Sequence, residues 1–160
     1  MQVKTGLGQD SHRFQTDIIK PLILGGVKFE DELSLQGNSD ADVVLHALCN
    51  SISGVTGINI LGKISDHLCA EGITDSSIYV KEALKYLQNW QICHVSFSLE
   101  CKIPKITPKI IEMKQNISKL LGLQTQDIGI TATSGEELTT FGRGQGIQVF
   151  CIVTVMNDED

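Results

Sequence analysis

Ser39-Asp40-Ala41-Asp42-Val43-Val44-Leu45-His46-Ala47-Leu48-Cys49-Asn50 reads as a helix with an unusual polar face, and the rest of the chain can be organised around it. Ser39 is suited to cap it, Asp42 stands three residues on where a carboxylate helps the first turn, and Val43, Val44, Ala47, Leu48 and Ile52 recur at helical spacing. Gly54 is the expected stop. Ser39, Asp42, His46 and Asn50 fall three and four apart, a polar stripe on an otherwise apolar helix. Such a stripe must face water, a partner or a site.

Upstream, Val3 to Gln9 and Pro21 to Phe29 read as extended, the second interrupted by Gly25-Gly26 as by a turn or bulge, with Asp10 to Lys20 as a polar loop between them. Downstream, residues 57–72 show weak periodicity and read as loop. Asp75 to Trp90 predicts a second helix with Ile78, Ala83, Leu84 and Leu87 on its apolar side. Ile92 to Cys101 alternates as a half-buried strand does, and Thr107-Pro108 opens a third helix that Gly122 ends. Asp127 to Thr133 and Gly146 to Met156 are the last strands, and the apolar density of the final one predicts a central place in a sheet. The order is β-β-α-α-β-α-β-β. A chain of 160 residues fits a single domain, here 1–156, followed by a loose acidic tail, 157–160.

Composition narrows the function classes. An apolar fraction of 41% with 20% charged residues is ordinary for a soluble globular domain, and no apolar run approaches the roughly 18 residues of a membrane span. The net charge of −6, without a Lys/Arg cluster, argues against nucleic acid or an anionic membrane as partner. Met1 to Gly8 has neither the basic start nor the apolar stretch of a secretory signal, and the five cysteines are odd in number and lack C-x-x-C spacing. A reducing, cytoplasmic setting is expected.

In Asp10-Ser11-His12 the carboxylate and the imidazole are two apart, so an extended backbone sends both side chains to the same face. Each residue alone has a plain structural explanation: His46 as a core histidine satisfied by Asp42, and Asp10 and His12 as a hydrogen-bonded turn. Taken together, two imidazoles and a carboxylate match the three protein ligands and open position of a catalytic zinc site, whereas structural zinc sites favour four ligands, mostly cysteine. Thr131-Ala132-Thr133-Ser134-Gly135-Glu136-Glu137 runs a strand into hydroxyls and two acids, a set suited to phosphate oxygens and to a hard cation, although a solvated turn would look the same. The glycine-rich stretch Phe141 to Gly146 carries Arg143, able to bind an anion, and no helix follows it as a dinucleotide fingerprint requires. Lys102-Ile103-Pro104-Lys105 is a short rigid loop able to present backbone groups to a base edge, or simply a strand-to-helix connection.

These motifs resemble the 2-C-methyl-D-erythritol 2,4-cyclodiphosphate synthase family over essentially the whole chain. The resemblance rests on Asp10-Ser11-His12, Leu24 to Val27, Ser39 to Leu48, Pro104-Lys105, Thr131 to Leu138, and Gly142 to Ile147. It implies an α+β fold, with a mixed four-stranded sheet, helices on one face and a small N-terminal hairpin. It further implies a homotrimer with active sites between subunits and a possessor of an axial cavity able to hold an isoprenoid diphosphate. The implied reaction converts 4-diphosphocytidyl-2-C-methyl-D-erythritol 2-phosphate to the 2,4-cyclodiphosphate with release of CMP, in the non-mevalonate route to isoprenoids.

By the same resemblance Asp10, His12 and His46 hold zinc or another divalent cation, and Glu136 holds magnesium or manganese on the substrate diphosphate. Asn38 and Ser39 lie near the transferring phosphate, and Thr133 and Ser134 near the cytidine diphosphate phosphates. Cys101, Lys102, Ile103, Pro104, Lys105, Ile106 and Thr107 form the cytosine pocket, Asp66 contacts the erythritol hydroxyls, and Arg143 faces the trimer axis. The chain departs from the family pattern at Asn38, usually histidine, at Asn50, usually aspartate, and in the loop from Ile60 to His67. Two other readings compete. A non-catalytic trimeric binder of isoprenoid diphosphates on the same scaffold would have no reason to keep Glu136, and a zinc deaminase would need the H-x-E and C-x-x-C elements that this chain lacks.

Overall fold

The computed structural model describes residues 1–30 and 32–158. Its strands are β1 (Gln2–Arg13), β2 (Leu22–Leu24), β3 (Val27–Phe29), β4 (Gln91–Glu100), β5 (Ile128–Thr133) and β6 (Gly146–Asn157). Its helices are α1 (Val43–Thr56), α2 (Lys63–Ala70), α3 (Ser76–Leu84) and α4 (Ile110–Leu121). The four-stranded sheet runs β1-β6-β4-β5, with β4 and β5 parallel and the other pairs antiparallel, so it is mixed as expected. β6 is paired on both sides. Its alternation explains this, since Ile147, Val149, Cys151, Val153 and Val155 are buried. Phe150 and Ile152 on the opposite face stay 40% and 46% exposed, beside Leu7 and Val3 of β1, so that face of the sheet is apolar and open.

The first helix lies directly on β1 because β1 presents Gly6 and Gly8 to it: a Cβ on either would come 2.1 Å from a carbonyl oxygen of α1, Ser51 O or Ala47 O. Its cap is Asp42 rather than Ser39, the carboxylate accepting the Val44 and Leu45 N–H groups at 3.1 Å. Ala41 at φ 56° turns the chain off the helical path, and Ser39 Oγ instead accepts the Ala41 N–H at 3.1 Å. Gly54 does not end the helix. It sits inside it, where a Cβ would be 3.3 Å from Leu7 O, and Gly57 in the left-handed region (φ 75°) is the stop.

Other boundaries also move. β1 runs on through Asp10 to Arg13 because β6 pairs with it over its whole length, so the polar loop begins later than the composition suggests. Within 57–72 lies α2, hidden from the sequence because it only half-buries Ile64 and Leu68, with Leu61 just before it. In the α3 segment the helix stops at Leu84, before a tighter turn at Lys85–Leu87, and its inner face is Tyr79, Val80 and Ala83. Ile78, read as inward, is 37% exposed. Thr107–Lys109 forms a separate 3-10 turn ahead of α4.

Gly25 and Gly26, at φ 59° and 74°, make the two-residue turn of the β2/β3 hairpin. That turn is tethered, for the Asp42 carboxylate also accepts the Gly25 and Gly26 N–H groups at 2.9 and 2.6 Å. Asn157 still pairs in β6, opposite Gln2, and the tail positions Glu159 and Asp160 lie outside the described residues. The five cysteines are free thiols, and no helix among the described residues is long and apolar enough to cross a membrane.

Candidate metal centre and the pockets around it

Along β1 the side chains facing α1 are Gly6, Gly8, Asp10 and His12 in turn. The glycines let the helix approach, and the next two positions then meet the N-terminal turns of α1, where His46 projects. Asp10 Oδ2 lies 2.9 Å from His12 Nε2 and 3.0 Å from His46 Nδ1, and the two nitrogens are 3.2 Å apart. A tetrahedral site with bonds of about 2.0–2.2 Å has ligand atoms spaced by roughly 3.3 Å. The three donors therefore form a triangle of the right size and chemistry for one face of a divalent zinc-type site. Among the described residues it is the one group of three or more His, Cys, Asp or Glu donors close enough to share an ion.

The imidazoles are held from behind. His12 Nδ1 lies 2.6 Å from Gln36 O, which requires Nδ1–H and leaves Nε2 for the triangle, and His46 Nε2 lies 2.9 Å from Ser76 Oγ. Burial alone would raise the Asp10 carboxyl, but the hydrogen bonds and charges of His12 and His46 hold it down to about 2. Burial alone would lower His12, and Asp10 outweighs it, so His12 is raised above its ordinary value. The reading of His46 as satisfied by Asp42 fails, because that carboxylate is occupied by four backbone amides.

The triangle forms the floor of a cavity of about 240 Å³ whose wall includes Asn38, Ser39 and Asp66, the residues expected near the phosphate and the erythritol hydroxyls. Cys69 and Tyr79 also line it, and no spacing in the sequence pointed to them. Asn50 does not reach it: Nδ2 donates to Gln9 O at 2.8 Å, fastening α1 to β1.

A second cavity of about 330 Å³ is lined by Cys101, Lys102, Pro104, Lys105, Ile106 and Thr107 together with Thr133 and Ser134. The expected cytosine loop and the expected phosphate hydroxyls thus share one pocket. Ile103 is exposed and outside the lining, and burial pushes the Cys101 thiol up to about 11. Beside it, Glu136 is exposed, linked to Ser134, whose Oγ donates to Glu136 Oε1 at 3.3 Å. Glu136 and Glu137 both adopt positive φ, 48° and 60°, an uncommon backbone for such residues. Arg143 is exposed and donates to Glu137 O and Leu138 O of the same loop, at 3.3 and 3.4 Å.

Both cavities lie at one end of the sheet. Arg13 is opposite Gly146, Gln148 opposite Glu100, and Glu100 opposite Thr133, so the metal triangle is at the β1 edge and the second pocket at the β5 edge. Three strand spacings of about 4.8 Å put these edges roughly 14 Å apart.

A sequence model of the YgbB family matches residues 3–156. The 2-C-methyl-D-erythritol 2,4-cyclodiphosphate synthase of Chlamydia felis is 51% identical over 156 residues, covering 96% of this chain and 89% of its own, and that of Chlamydia abortus is 49% identical with the same coverage. Among solved structures, the CDP complex of IspF from Plasmodium falciparum superposes with a TM-score of 0.82 at 27% identity, covering 98% of this chain and 97% of that one. The bifunctional IspDF of Campylobacter jejuni gives 0.87 at 27% identity, covering 96% of this chain and 42% of that one. The chain belongs to the YgbB family, the family of 2-C-methyl-D-erythritol 2,4-cyclodiphosphate synthases.

Proposed function

We propose that the chain cyclises 4-diphosphocytidyl-2-C-methyl-D-erythritol 2-phosphate. An oxygen of the 2-phosphate attacks the β-phosphorus, the bond from that phosphorus to the bridging oxygen breaks, and CMP leaves with the electron pair. The observation that carries the reading is the Asp10–His12–His46 triangle on the floor of a cavity walled by Asn38 and Ser39. Zinc or another divalent ion at the triangle, and magnesium or manganese with Glu136, would supply positive charge against which the phosphates can be held.

The chain's own groups do the positioning. Asn38 Nδ2 and Ser39 Oγ would donate to the attacking phosphate, and the Thr133 and Ser134 hydroxyls to the diphosphate. The 101–107 pocket would take the cytosine, and Asp66 would accept from erythritol hydroxyls. No protein nucleophile is required, because holding attacking and leaving groups in line supplies much of the acceleration. The CDP bound to the Plasmodium falciparum relative supports a cytidine nucleotide as ligand.

A homotrimer belongs to this reading. The two half-sites lie on opposite edges of the sheet, about 14 Å apart across its strands, and copies around an axis would set the β1 edge of one beside the β5 edge of the next. The open apolar face bearing Val3, Leu7, Phe150 and Ile152 offers a surface for such packing. Arg143 would then face an axial cavity able to take an isoprenoid diphosphate, and the free thiols fit a reducing cytoplasm. The test is CMP release from the named substrate by the purified protein. Absence of release together with tight binding of an isoprenoid diphosphate would favour the non-catalytic binder instead.

A further inference from the structure

Ser76 and Asp40 have no part in the chemistry above, yet they stand directly behind the metal centre. Ser76 opens α3 and is fully buried, with its Oγ 2.9 Å from His46 Nε2. The same hydroxyl is hydrogen-bonded to Asp40 Oδ1, and Asp40 Oδ2 accepts the Ser76 N–H at 3.0 Å. Asp40 is itself fixed: it accepts the Asp42 N–H at 3.0 Å and donates its own N–H to Thr74 O at 2.9 Å.

A hydroxyl has one hydrogen, and an ionised carboxylate only accepts. The Ser76 hydrogen therefore goes to Asp40 and its lone pairs face His46, so Nε2 must carry the imidazole proton. In the neutral imidazole, the form that a metal binds, that leaves the Nδ1 lone pair aimed at the meeting point of Asp10 Oδ2 and His12 Nε2. The other hydroxyl near Nε2, Ser39 Oγ, is farther at 3.4 Å and already accepts the Ala41 N–H.

We propose that Ser76 and Asp40 are positioning residues of the metal centre: Asp40 orients the Ser76 hydroxyl, which holds His46 as the Nε2–H tautomer with Nδ1 free to bind the ion. The inference rests on the metal reading above. It gives the two imidazoles different supports, since His12 leans on a backbone carbonyl that no side-chain change removes, while His46 leans on two side chains from separate elements.

The test measures zinc affinity, by competition with a chromophoric chelator, for the full-length protein and for Ser76→Ala and Asp40→Asn, with thermal unfolding of each in excess chelator. The expected result is zinc binding weaker by about 10- to 100-fold in Ser76→Ala, and by less in Asp40→Asn, which keeps an acceptor oxygen. In the zinc-loaded unaltered protein, nitrogen-15 NMR should show the His46 Nε2–H proton hydrogen-bonded, and Ser76→Ala should shift or broaden it. If Ser76→Ala does not fold, Asp40→Asn carries the test through its zinc affinity at unchanged metal-free melting temperature. Affinities within about twofold of the unaltered protein in every variant that folds would overturn the inference and leave the metal centre standing. Failure of the unaltered protein to bind zinc would overturn the metal reading itself, and this inference with it.

Discussion

A Cβ added to Gly8 would stand 2.1 Å from Ala47 O, the carbonyl next after His46, so the helix that carries one proposed metal ligand touches the backbone of the strand that carries the other two. Gly8→Ala cannot be accommodated without lifting α1 from β1. Overpacking of this kind typically costs about 1–3 kcal/mol, and here it should also draw His46 away from Asp10. Urea denaturation should show the stability loss, and metal analysis a zinc content below one per chain. A variant with unaltered midpoint and full zinc would contradict the packing argument.

Asp42 offers a different structural test. Its carboxylate, fully buried, accepts four amides, two from the Gly25-Gly26 turn and two from the start of α1. Asp42→Ala strands those donors away from water, and each unsatisfied buried group costs about 1–3 kcal/mol. A loss of at least about 3 kcal/mol in denaturant midpoint analysis is expected. An effect under about 1 kcal/mol, the size of an ordinary surface change, would mean the hairpin is not held through this residue.

These two residues also show how far the sequence could be read. The stripe Ser39, Asp42, His46, Asn50 pointed to the helix that brings His46 to Asp10 and His12, but spacing could not divide the labour within it. Ser39 and His46 face the cavity, while Asp42 and Asn50 fasten α1 to the hairpin and to β1. The alternation of Asp10 and His12 was legible because a strand fixes side-chain direction locally. Ser76 was not, since it meets His46 across 30 residues through packing of α3 on α1, and Gln36 was not, since it contributes only a carbonyl. The helix α2 escaped because a shallowly buried helix leaves little periodicity.

The pH dependence of metal binding follows from the triangle. In the metal-free protein Asp10 is held down at about 2 and stays ionised through the neutral range, whereas His12 is raised above its ordinary value. A metal binds only the neutral imidazole and must displace the His12 proton below that raised value, so zinc affinity should fall by about tenfold per pH unit on the acid side. Linkage in the metal-free chain runs the other way. The raised His12 contributes stability that is full below about 6.5 and fades as pH rises through its folded value, while the lowered Asp10 contributes stability present above about 3.8 and lost as pH falls through about 2. Chelator competition between pH 6 and 8 measures the first, and melting curves in excess chelator, carried from neutral pH down through the acid range, measure the second. A pH-independent zinc affinity would contradict the assignment of His12 as a ligand.

Adjacent acids in one turn give the sharpest test of the proposed reaction. Glu137 forms an ion pair with Lys102 at 2.7 Å, the two side chains 69% and 50% exposed. Such a pair is screened by solvent and weak, so Glu137→Gln should leave turnover within a few-fold. Among the described residues Glu136 has no cationic partner and is linked to Ser134, which leaves its carboxylate available to a hard cation on the diphosphate. Glu136→Gln keeps the size and the Ser134 contact but removes the charge. The phosphates would then repel the attacking oxygen and the departing CMP would be poorly neutralised, so the loss should fall on kcat rather than on folding or zinc content. Removal of a comparable electrostatic group elsewhere costs about 10²- to 10³-fold in kcat, and a loss of at least that size is expected. Steady-state CMP release at saturating magnesium, with zinc analysis of the same samples, decides it: near-normal turnover in Glu136→Gln, or an equal loss in Glu137→Gln, would mean that Glu136 does not hold a cation on the substrate.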